Sequence, residues 1–191
     1  MDVTPLSIAG AFAIANSVRR DERGEFVEWF RADHLKKATG IDFSTIQANL
    51  SVSQKGTLRG IHFADVPPGQ AKYVMCPAGA IKDYVVDIRV GSPTFGTWEA
   101  VTITATDRNA ILLDVGLGHA FVALEDGTTV TYLVTDHYKP HAEHAIHPED
   151  SDLGLEFPFS GDELLVSAKD REAPSFADAL SSGMLPKWAG R

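Results

Sequence analysis

Apolar and polar side chains alternate with a period of two along much of this chain, which restricts it to folds built from short strands. In the segment 83–89, Tyr84, Val86 and Ile88 lie on one face of an extended chain, and only Val85 interrupts the alternation. The charged side chains lie on the other face: Asp83, Asp87 and Arg89. This pattern predicts a strand with one face on a core and the other in solvent.

Short β-rich runs recur through the chain and are separated by turn sequences such as Pro67-Pro68-Gly69 and Asp126-Gly127. The runs span residues 45–53, 56–63, 71–76, 97–104, 111–115, 119–124 and 128–135. Closed or double-sheet antiparallel architectures suit many short strands, because they leave few strand edges unpaired. The sequence therefore predicts a mainly β fold, an antiparallel jelly-roll barrel.

Helical patterns occur in two places, so we expect a few short peripheral helices. Residues 31–39 are rich in helix formers and stop before Gly40, and Ser175 is a suitable N-cap for a helix that ends near Gly183. The sequence contains no internal repeat, low-complexity tract or linker. We therefore expect residues 1–191 to form a single domain.

The charge balance limits the class of partner. There are 17 basic and 26 acidic residues, for a formal net charge of −9, whereas a surface for nucleic acid needs net positive charge. An anionic ligand then requires a local basic cluster. The 44% hydrophobic and 23% charged fractions are those of globular chains, and they exclude a wholly disordered or collagen-like protein.

Cysteine usage and hydropathy predict a cytoplasmic protein. The single cysteine, Cys76, has no partner for a disulfide within the chain, and Met1 is followed by Asp2 rather than by a basic segment that leads into an apolar run. Charged residues interrupt every apolar run before it reaches the roughly 20 residues of a transmembrane helix. We expect no membrane partner.

The segment 57–63 carries Arg59 and His62 on either side of a glycine. A regular strand would place these two side chains on opposite faces. A bulge or kink at Gly60 would bring both into one cavity. The alternative is an ordinary hairpin with an outward arginine and an inward, hydrogen-bonded histidine, and the segment alone does not decide between them.

Four more side chains have both a structural and a functional interpretation. Lys72 opens a strand, where it either faces solvent or points inward toward an anion or a developing oxyanion. His119 follows a glycine-bearing turn and is either a ligand contact or a satisfied core residue. Tyr132 and Tyr138 are either packing residues or, where a hydroxyl faces a pocket, general acids.

Several motifs occur in a fixed order from residue 21 to about residue 174. They are 21–26 (DERGEF), 47–53 (QANLSVS), 58–63 (LRGIHF), 67–72 (PPGQAK), 87–96 (DIRVGSPTFG), 118–121 (GHAF), Tyr132, Tyr138 and 167–170 (SAKD). In this order they resemble the dTDP-4-dehydrorhamnose 3,5-epimerase family, the sugar-nucleotide epimerases of the cupin class. The resemblance implies a cupin-like epimerase, an isomerase that acts at C3, C5 or both carbons of a dTDP-4-keto-6-deoxyhexose through an enolate, in deoxysugar biosynthesis.

The resemblance also implies catalytic roles. His62 is the base, with Asp170 as its partner, and Tyr132 is the acid on the opposite face of the sugar. Lys72 meets the developing enolate oxygen on C4, and His119 contacts the same region of the sugar. A site of this kind uses neither a metal nor a dissociable cofactor.

Other matching residues are implied to bind the nucleotide. The resemblance places Arg23 and Arg59 on the diphosphate and Tyr138 on the thymine ring. The remaining ligand-contact positions are Gln47 and Asn49, which would hydrogen-bond nucleotide groups, and Phe26, Glu28, Glu143 and Lys169. Family members form dimers, which implies a homodimer in which the segment from Arg23 to Glu28 reaches the neighbouring site.

Three alternatives stay open. Many family members have glycine where this chain has Ala120, and the additional methyl group could reshape the sugar end, so inversion at C3 only or C5 only is the first. A metal-dependent cupin is the second, although the cupin His-x-His pair is absent and Pro140 separates His137 from His141. The third is a non-catalytic sugar-nucleotide-binding cupin, which would have no use for both a base and an acid.

Overall fold

The computed structural model describes residues 1–190, which form fourteen strands and three short α-helices. The strands are β1 (Asp2–Pro5), β2 (Ala11–Ala15), β3 (Val18–Asp21), β4 (Gly24–Val27), β5 (Gln47–Ser53), β6 (Thr57–Ala64), β7 (Lys72–Ala78), β8 (Ala80–Val86), β9 (Trp98–Thr104), β10 (Ala110–Leu113), β11 (Gly118–Ala123), β12 (Thr128–Val134), β13 (Glu143–Ala145) and β14 (Leu165–Val166). The helices are α1 (Ala32–Thr39), α2 (Ala168–Arg171) and α3 (Phe176–Ser181). The predicted mainly β jelly-roll fold with short helices is confirmed.

Most strands belong to two antiparallel sheets that face each other. Sheet 1 has the order β1-β2-β10-β7-β12-β5, and sheet 2 has the order β13-β6-β11-β8-β9, with β14 added in parallel to β6. Strands β3 and β4 form a separate hairpin. A hydrophobic cluster between the sheets, which we call the interior core, includes Val74 and Val130 of sheet 1 and Ile81 and Val85 of sheet 2. Polar side chains line one end of this space.

The outer faces of both sheets are also covered. On sheet 1, Leu35 of α1 belongs to one buried cluster with Tyr73 of β7. On sheet 2, Phe176 of α3 belongs to another with Tyr84 of β8, which we call the outer core of sheet 2. Register is therefore strongly specified, because a slip of one residue would exchange the two faces of a strand. Within residues 1–190, no helix is long and apolar enough to cross a membrane.

The prediction for the segment 83–89 is wrong in one respect, because both of its faces are buried. β8 is a central strand of sheet 2, with the interior core on one side and the outer core on the other. Asp83 and Asp87 are fully buried rather than in solvent. Each is paired, Asp83 Oδ2 with His119 Nε2 at 2.8 Å and Asp87 Oδ1 with Arg89 Nε at 2.8 Å. A paired carboxylate can be buried, even where the alternation of apolar and polar residues predicts that it faces solvent.

The predicted helices and most predicted strands agree with the structure to within a few residues. Gly40 follows α1 with a φ of +76°, and the Ser175 side chain caps α3 by accepting a hydrogen bond from the Asp178 N–H. The sequence patterns did not show β1 to β4, β13, β14 or α2. These elements have two to five residues each, and β1, β3 and β4 are largely exposed, so they carry little hydrophobic periodicity.

A bulge interrupts β6 at Gly60. His62 lies opposite His119 of β11 and Arg59 lies opposite Phe121, so three steps along β6 match two along β11. Since residues two apart on β11 share a face, Arg59 and His62 also come to one face. Gly60 has a φ of +123°, and a Cβ there would lie 2.5 Å from the carbonyl oxygen of His119. The bulge left open by the sequence is confirmed, and it requires glycine.

Candidate active site

The polar end of the space between the sheets forms a cavity of about 380 Å³. Its lining residues are Gln47, Asn49, His62, Gln70, Lys72, Tyr132, Tyr138, Glu143, His144 and Lys169. In sheet 1, Tyr132 lies opposite Asn49 of β5 and opposite Val74 of β7, two residues from Lys72. The period of two along these strands therefore brings the three polar side chains to one wall. His62, on sheet 2, belongs to the facing wall.

His62 and Asp170 form a hydrogen-bonded pair, with 2.7 Å between His62 Nε2 and Asp170 Oδ1. Asp170 lies in α2, whose N-cap Ser167 accepts a hydrogen bond from the Asp170 N–H. Burial by itself would raise the pKa of Asp170, but the hydrogen bond and charge of His62, with smaller contributions from Ser167 and the Gly60 amide, hold that pKa below its usual value. An ionised carboxylate therefore orients the ring and stabilises its charged form.

Lys72 is buried at the cavity, so the solvent-facing alternative is wrong. Burial lowers the pKa of the Lys72 ammonium, and the negative charges of Glu143 and Asp83 oppose that fall. Asp83 is fully buried, and its burial raises its own pKa while His119 and Lys72 act in the opposite direction. Negative charge on Glu143 or Asp83 therefore favours the cationic form of Lys72. A cation at this position can receive negative charge that develops on a ligand.

Tyr132 faces the cavity from the wall opposite His62. Burial raises the pKa of the Tyr132 phenol, the negative charge of Glu143 adds to the rise, and the positive charge of Arg59 opposes it. The hydroxyl therefore keeps its proton at neutral pH and is available as an acid. One cavity thus holds a candidate base and a candidate acid on two different sheets.

Polar side chains join β5 to the loop that carries Tyr138. Gln47 Nε2 donates a hydrogen bond to Asn49 Oδ1 at 2.7 Å, and the Tyr138 N–H donates to Gln47 Oε1 at 3.1 Å. Tyr138 is 56% exposed, which leaves its ring available to a flat ligand group. These contacts place three of the predicted nucleotide-binding residues side by side.

Six predicted site residues do not line the cavity: Arg23, Phe26, Glu28, Arg59, His119 and Asp170. Asp170 reaches it through His62, and His119 is buried in its pair with Asp83. The Arg59 guanidinium lies 3.3 Å from Ser53 Oγ and is exposed. The segment 23–28 belongs to the β3–β4 hairpin and the residue after it, and it is largely exposed and lies apart from the cavity of its own chain.

Two lining residues, Gln70 and His144, were not predicted. Gln70 Nε2 donates a hydrogen bond to Glu143 Oε1 at 3.1 Å, and His144 Nε2 lies 2.7 Å from Asp65 Oδ1. Gln70 lies in the motif 67–72, but its neutral amide does not titrate, so it was not identified as a candidate for the site. Within residues 1–190, no group of three or more His, Cys, Asp or Glu side chains is arranged to hold a metal ion.

Ala120 does not contact the cavity. Its methyl group lies in the outer core of sheet 2 and packs against Gly60. A Cβ atom at position 60 would lie 2.6 Å from this methyl group. This methyl group therefore does not reach the ligand site directly, because the side chain points to the other face of β11.

Comparison with known proteins identifies the family of this chain. Residues 5–178 match the model of the dTDP-4-dehydrorhamnose 3,5-epimerase family. The chain belongs to this family. It is 51% identical over 189 residues to the dTDP-4-dehydrorhamnose 3,5-epimerase of Mycolicibacterium smegmatis, and the alignment covers 99% of this chain and 92% of that relative.

Two solved structures show that similar proteins share the fold. NovW, a 4-keto-6-deoxy sugar epimerase from the novobiocin biosynthetic gene cluster of Streptomyces spheroides, superposes with a TM-score of 0.95 at 45% identity, over 99% of this chain and 94% of NovW. ChmJ, a 3'-monoepimerase from Streptomyces bikiniensis in complex with dTDP-quinovose, superposes with a TM-score of 0.92 at 46% identity, over 96% of this chain and 92% of ChmJ. Members of the family are thus named for inversion at one carbon or at two.

Proposed function

We propose that this protein epimerises a dTDP-4-keto-6-deoxyhexose at C3, C5 or both, without a dissociable cofactor. Carbons 3 and 5 of such a sugar flank the C4 ketone, so loss of a proton from either carbon gives an enolate whose charge lies on the C4 oxygen. Inversion needs a base on one face of the sugar, a cation at the oxygen and an acid on the other face. The names of the relatives support this reaction.

The observation that carries the proposal is the placement of His62 and Tyr132 on opposite walls of one cavity. His62, oriented by Asp170, removes the proton from one face. Tyr132 returns a proton to the other face, because burial keeps its phenol protonated. Lys72 receives the charge on the C4 oxygen, and His119 acts on the same region indirectly, through its pair with Asp83, whose charge acts on Lys72.

The nucleotide is held by the remaining predicted residues. Tyr138 stacks on thymine beside Gln47 and Asn49, and Arg59 with the partner-derived Arg23 neutralises the diphosphate. Further contacts come from Phe26, Glu28, Glu143 and Lys169. The dTDP-quinovose complex of ChmJ supports a ligand of this class.

Incubation with dTDP-4-keto-6-deoxyglucose in deuterium oxide, followed by NMR, tests the proposed function. Inversion with deuterium at both C3 and C5 identifies a double epimerase, and at C3 or C5 alone a mono-epimerase. Binding without any deuterium uptake would identify a non-catalytic binding protein. Activity that depends on a stoichiometric metal would identify a metal-dependent enzyme, and either result contradicts the proposal.

Arg59→Ala is expected to weaken the binding of dTDP itself, which carries no sugar, by about ten-fold or more, because a charge-assisted contact to the diphosphate is lost. Isothermal titration calorimetry measures the affinity. Lys187→Ala removes one positive charge from the C-terminal segment and serves as the control for net charge. An unchanged dTDP affinity in Arg59→Ala would refute this placement of the arginine.

We also propose a homodimer in which the β3–β4 hairpin of each chain reaches the site of the other. Phe26 on the hairpin is 67% exposed, and Leu50 and Val52 on the edge strand β5 are 64% and 60% exposed. Large apolar side chains on a projecting hairpin and on a sheet edge are typical of a surface that another chain covers. Such a dimer would bring Arg23 and Glu28 to a cavity that they do not reach within their own chain.

A mixture of Arg23→Ala and His62→Ala, assayed at a substrate concentration too low for Arg23→Ala alone to turn over, is expected to recover activity after joint refolding. In a mixed dimer, one site combines the intact His62 of one chain with the intact Arg23 of the other, so random pairing restores about one quarter of the wild-type sites. The deuterium assay measures the recovery, and each variant refolded alone is the control. No recovery despite mixed dimers, detected by native mass spectrometry, would show that Arg23 serves its own chain.

Two expectations remain, a single domain and a cytoplasmic location. The continuous interior core supports the first, and the acidic composition and single cysteine support the second. We propose that residues 1–191 form one domain and that it works in the cytoplasm. Limited proteolysis that releases a stable internal fragment would contradict the first, and fractionation of the native host would test the second.

A further inference from the structure

Gln70 lines the cavity but has no part in the proposed reaction. It lies just before β7, two residues from Lys72. Its amide nitrogen Nε2 donates one hydrogen bond to Glu143 Oε1 at 3.1 Å and another to the Asp136 carbonyl at 3.3 Å. An amide group has two N–H bonds, so it satisfies both acceptors. Gln70 thus ties together the two ends of the loop between β12 and β13.

The charge of Glu143 acts on two side chains of sheet 1 that the proposed reaction uses, Lys72 and Tyr132. This negative charge raises the pKa of Lys72, against the larger effect of burial, and raises the pKa of Tyr132, in the same direction as burial. Both effects weaken as the carboxylate moves away. They therefore depend on what holds the Glu143 side chain in place.

Building on the proposed function, we propose that Gln70 is a positioning residue, whose hydrogen bond fixes the Glu143 carboxylate at the cavity that Lys72 and Tyr132 also line, so that its charge favours the protonated forms of both. Other ionisable groups face these side chains from the surrounding elements: Asp83 and His119, Arg59, His62, His144 and Lys169. In the described part of the chain, Gln70 is the side chain that hydrogen-bonds the Glu143 carboxylate.

Gln70→Met keeps a side chain of similar length and volume but removes the donor. The Glu143 carboxylate is then free to turn toward solvent, and the pKa values of Lys72 and Tyr132 both fall. Because both groups must be protonated for turnover, the alkaline limb of the kcat profile is expected to move to lower pH by up to about one unit. A merely structural defect would lower kcat by the same factor at every pH. Gln54→Met, in the exposed turn between β5 and β6, is the matched control and leaves the profile unchanged.

The pKa of Lys72 can be measured without turnover. In protein labelled with ¹³C at the lysine Cε, NMR titration follows the Lys72 resonance, which is assigned by its loss in Lys72→Arg. The pKa is expected to fall in Glu143→Gln and in Gln70→Met. Adding Gln70→Met to Glu143→Gln should cause no further fall, because the charge that Gln70 positions is already gone.

An unchanged Lys72 pKa in Gln70→Met overturns the proposal, as does an additive fall in the double variant. If the methionine variant does not fold, Gln70→Asn gives the same test, since its side chain is one methylene too short to reach both acceptors. A wild-type protein that takes up no deuterium into the sugar, but whose Lys72 pKa responds as described, would refute the proposed function and leave the positioning role of Gln70 standing.

Discussion

Replacement of His62 by alanine is expected to abolish hydrogen exchange at both C3 and C5 of the substrate. Loss of a general base costs about 10²–10⁴-fold, and more where the base and its partner act as a unit. His62 is hydrogen-bonded to a buried Asp170 carboxylate whose pKa is held below its usual value, so an ionised partner supports the charged ring. The rate of deuterium uptake from solvent, followed by NMR, measures the loss.

Two further variants define this result. Asp170→Asn is expected to lose most of the exchange while still binding dTDP, and the double variant with His62→Ala should lose little more, because the two residues act together. His144→Ala removes the other histidine–carboxylate pair at the cavity, to Asp65, and is expected to retain exchange. Exchange near the wild-type rate in His62→Ala would remove that residue from the role of base.

Tyr132→Phe is expected to separate exchange from inversion. His62 still removes the proton, and deuterium can return through the same ring, so the substrate becomes labelled with its configuration retained. The inverted product falls sharply, because the donor on the opposite wall is gone. NMR reads the position of deuterium and the configuration of each carbon in one sample.

The matched control is Tyr138→Phe, which removes the hydroxyl of the other tyrosine at the cavity and should leave exchange and inversion coupled. Phenylalanine preserves the packing of the Tyr132 ring, so a large loss of stability is not expected to obscure the result. Inversion at the wild-type rate in Tyr132→Phe would show that the proton comes from another donor, with an ordered water molecule as the next candidate.

The strands were predictable because the alternation of apolar and polar residues is a local property of the sequence. The placement of Arg59 and His62 on one face of β6 was not predictable in this way, because it depends on a contact with another strand. Regular alternation separates these side chains, and the bulge that unites them depends on contact between Gly60 and residues 119–120 of β11. A glycine in a strand indicated such a bulge. It could not distinguish a strand with a bulge from an ordinary hairpin, because the partner strand β11 lies far away in sequence.

Buried charge was the harder feature to predict. Asp83 was assigned to solvent because the pattern of neighbouring side chains says nothing about a partner such as His119, which is 36 positions away. The partnership of His62 with Asp170, 108 positions away, came from the family resemblance and not from spacing. Gln70 escaped notice for a related reason, since the acceptors of its amide lie at 136 and 143.

The interior core also separates the two walls that carry His62 and Tyr132. Val74 and Val130 on one sheet and Ile81 and Val85 on the other pack together in that core, so their volumes contribute to the distance between the two walls. The lifetime of the enolate before protonation from either side is then a matter of wall separation as well as of acid strength. Changes of side-chain size within this core offer a way to alter the proportion of inverted to retained product while every reacting side chain is retained.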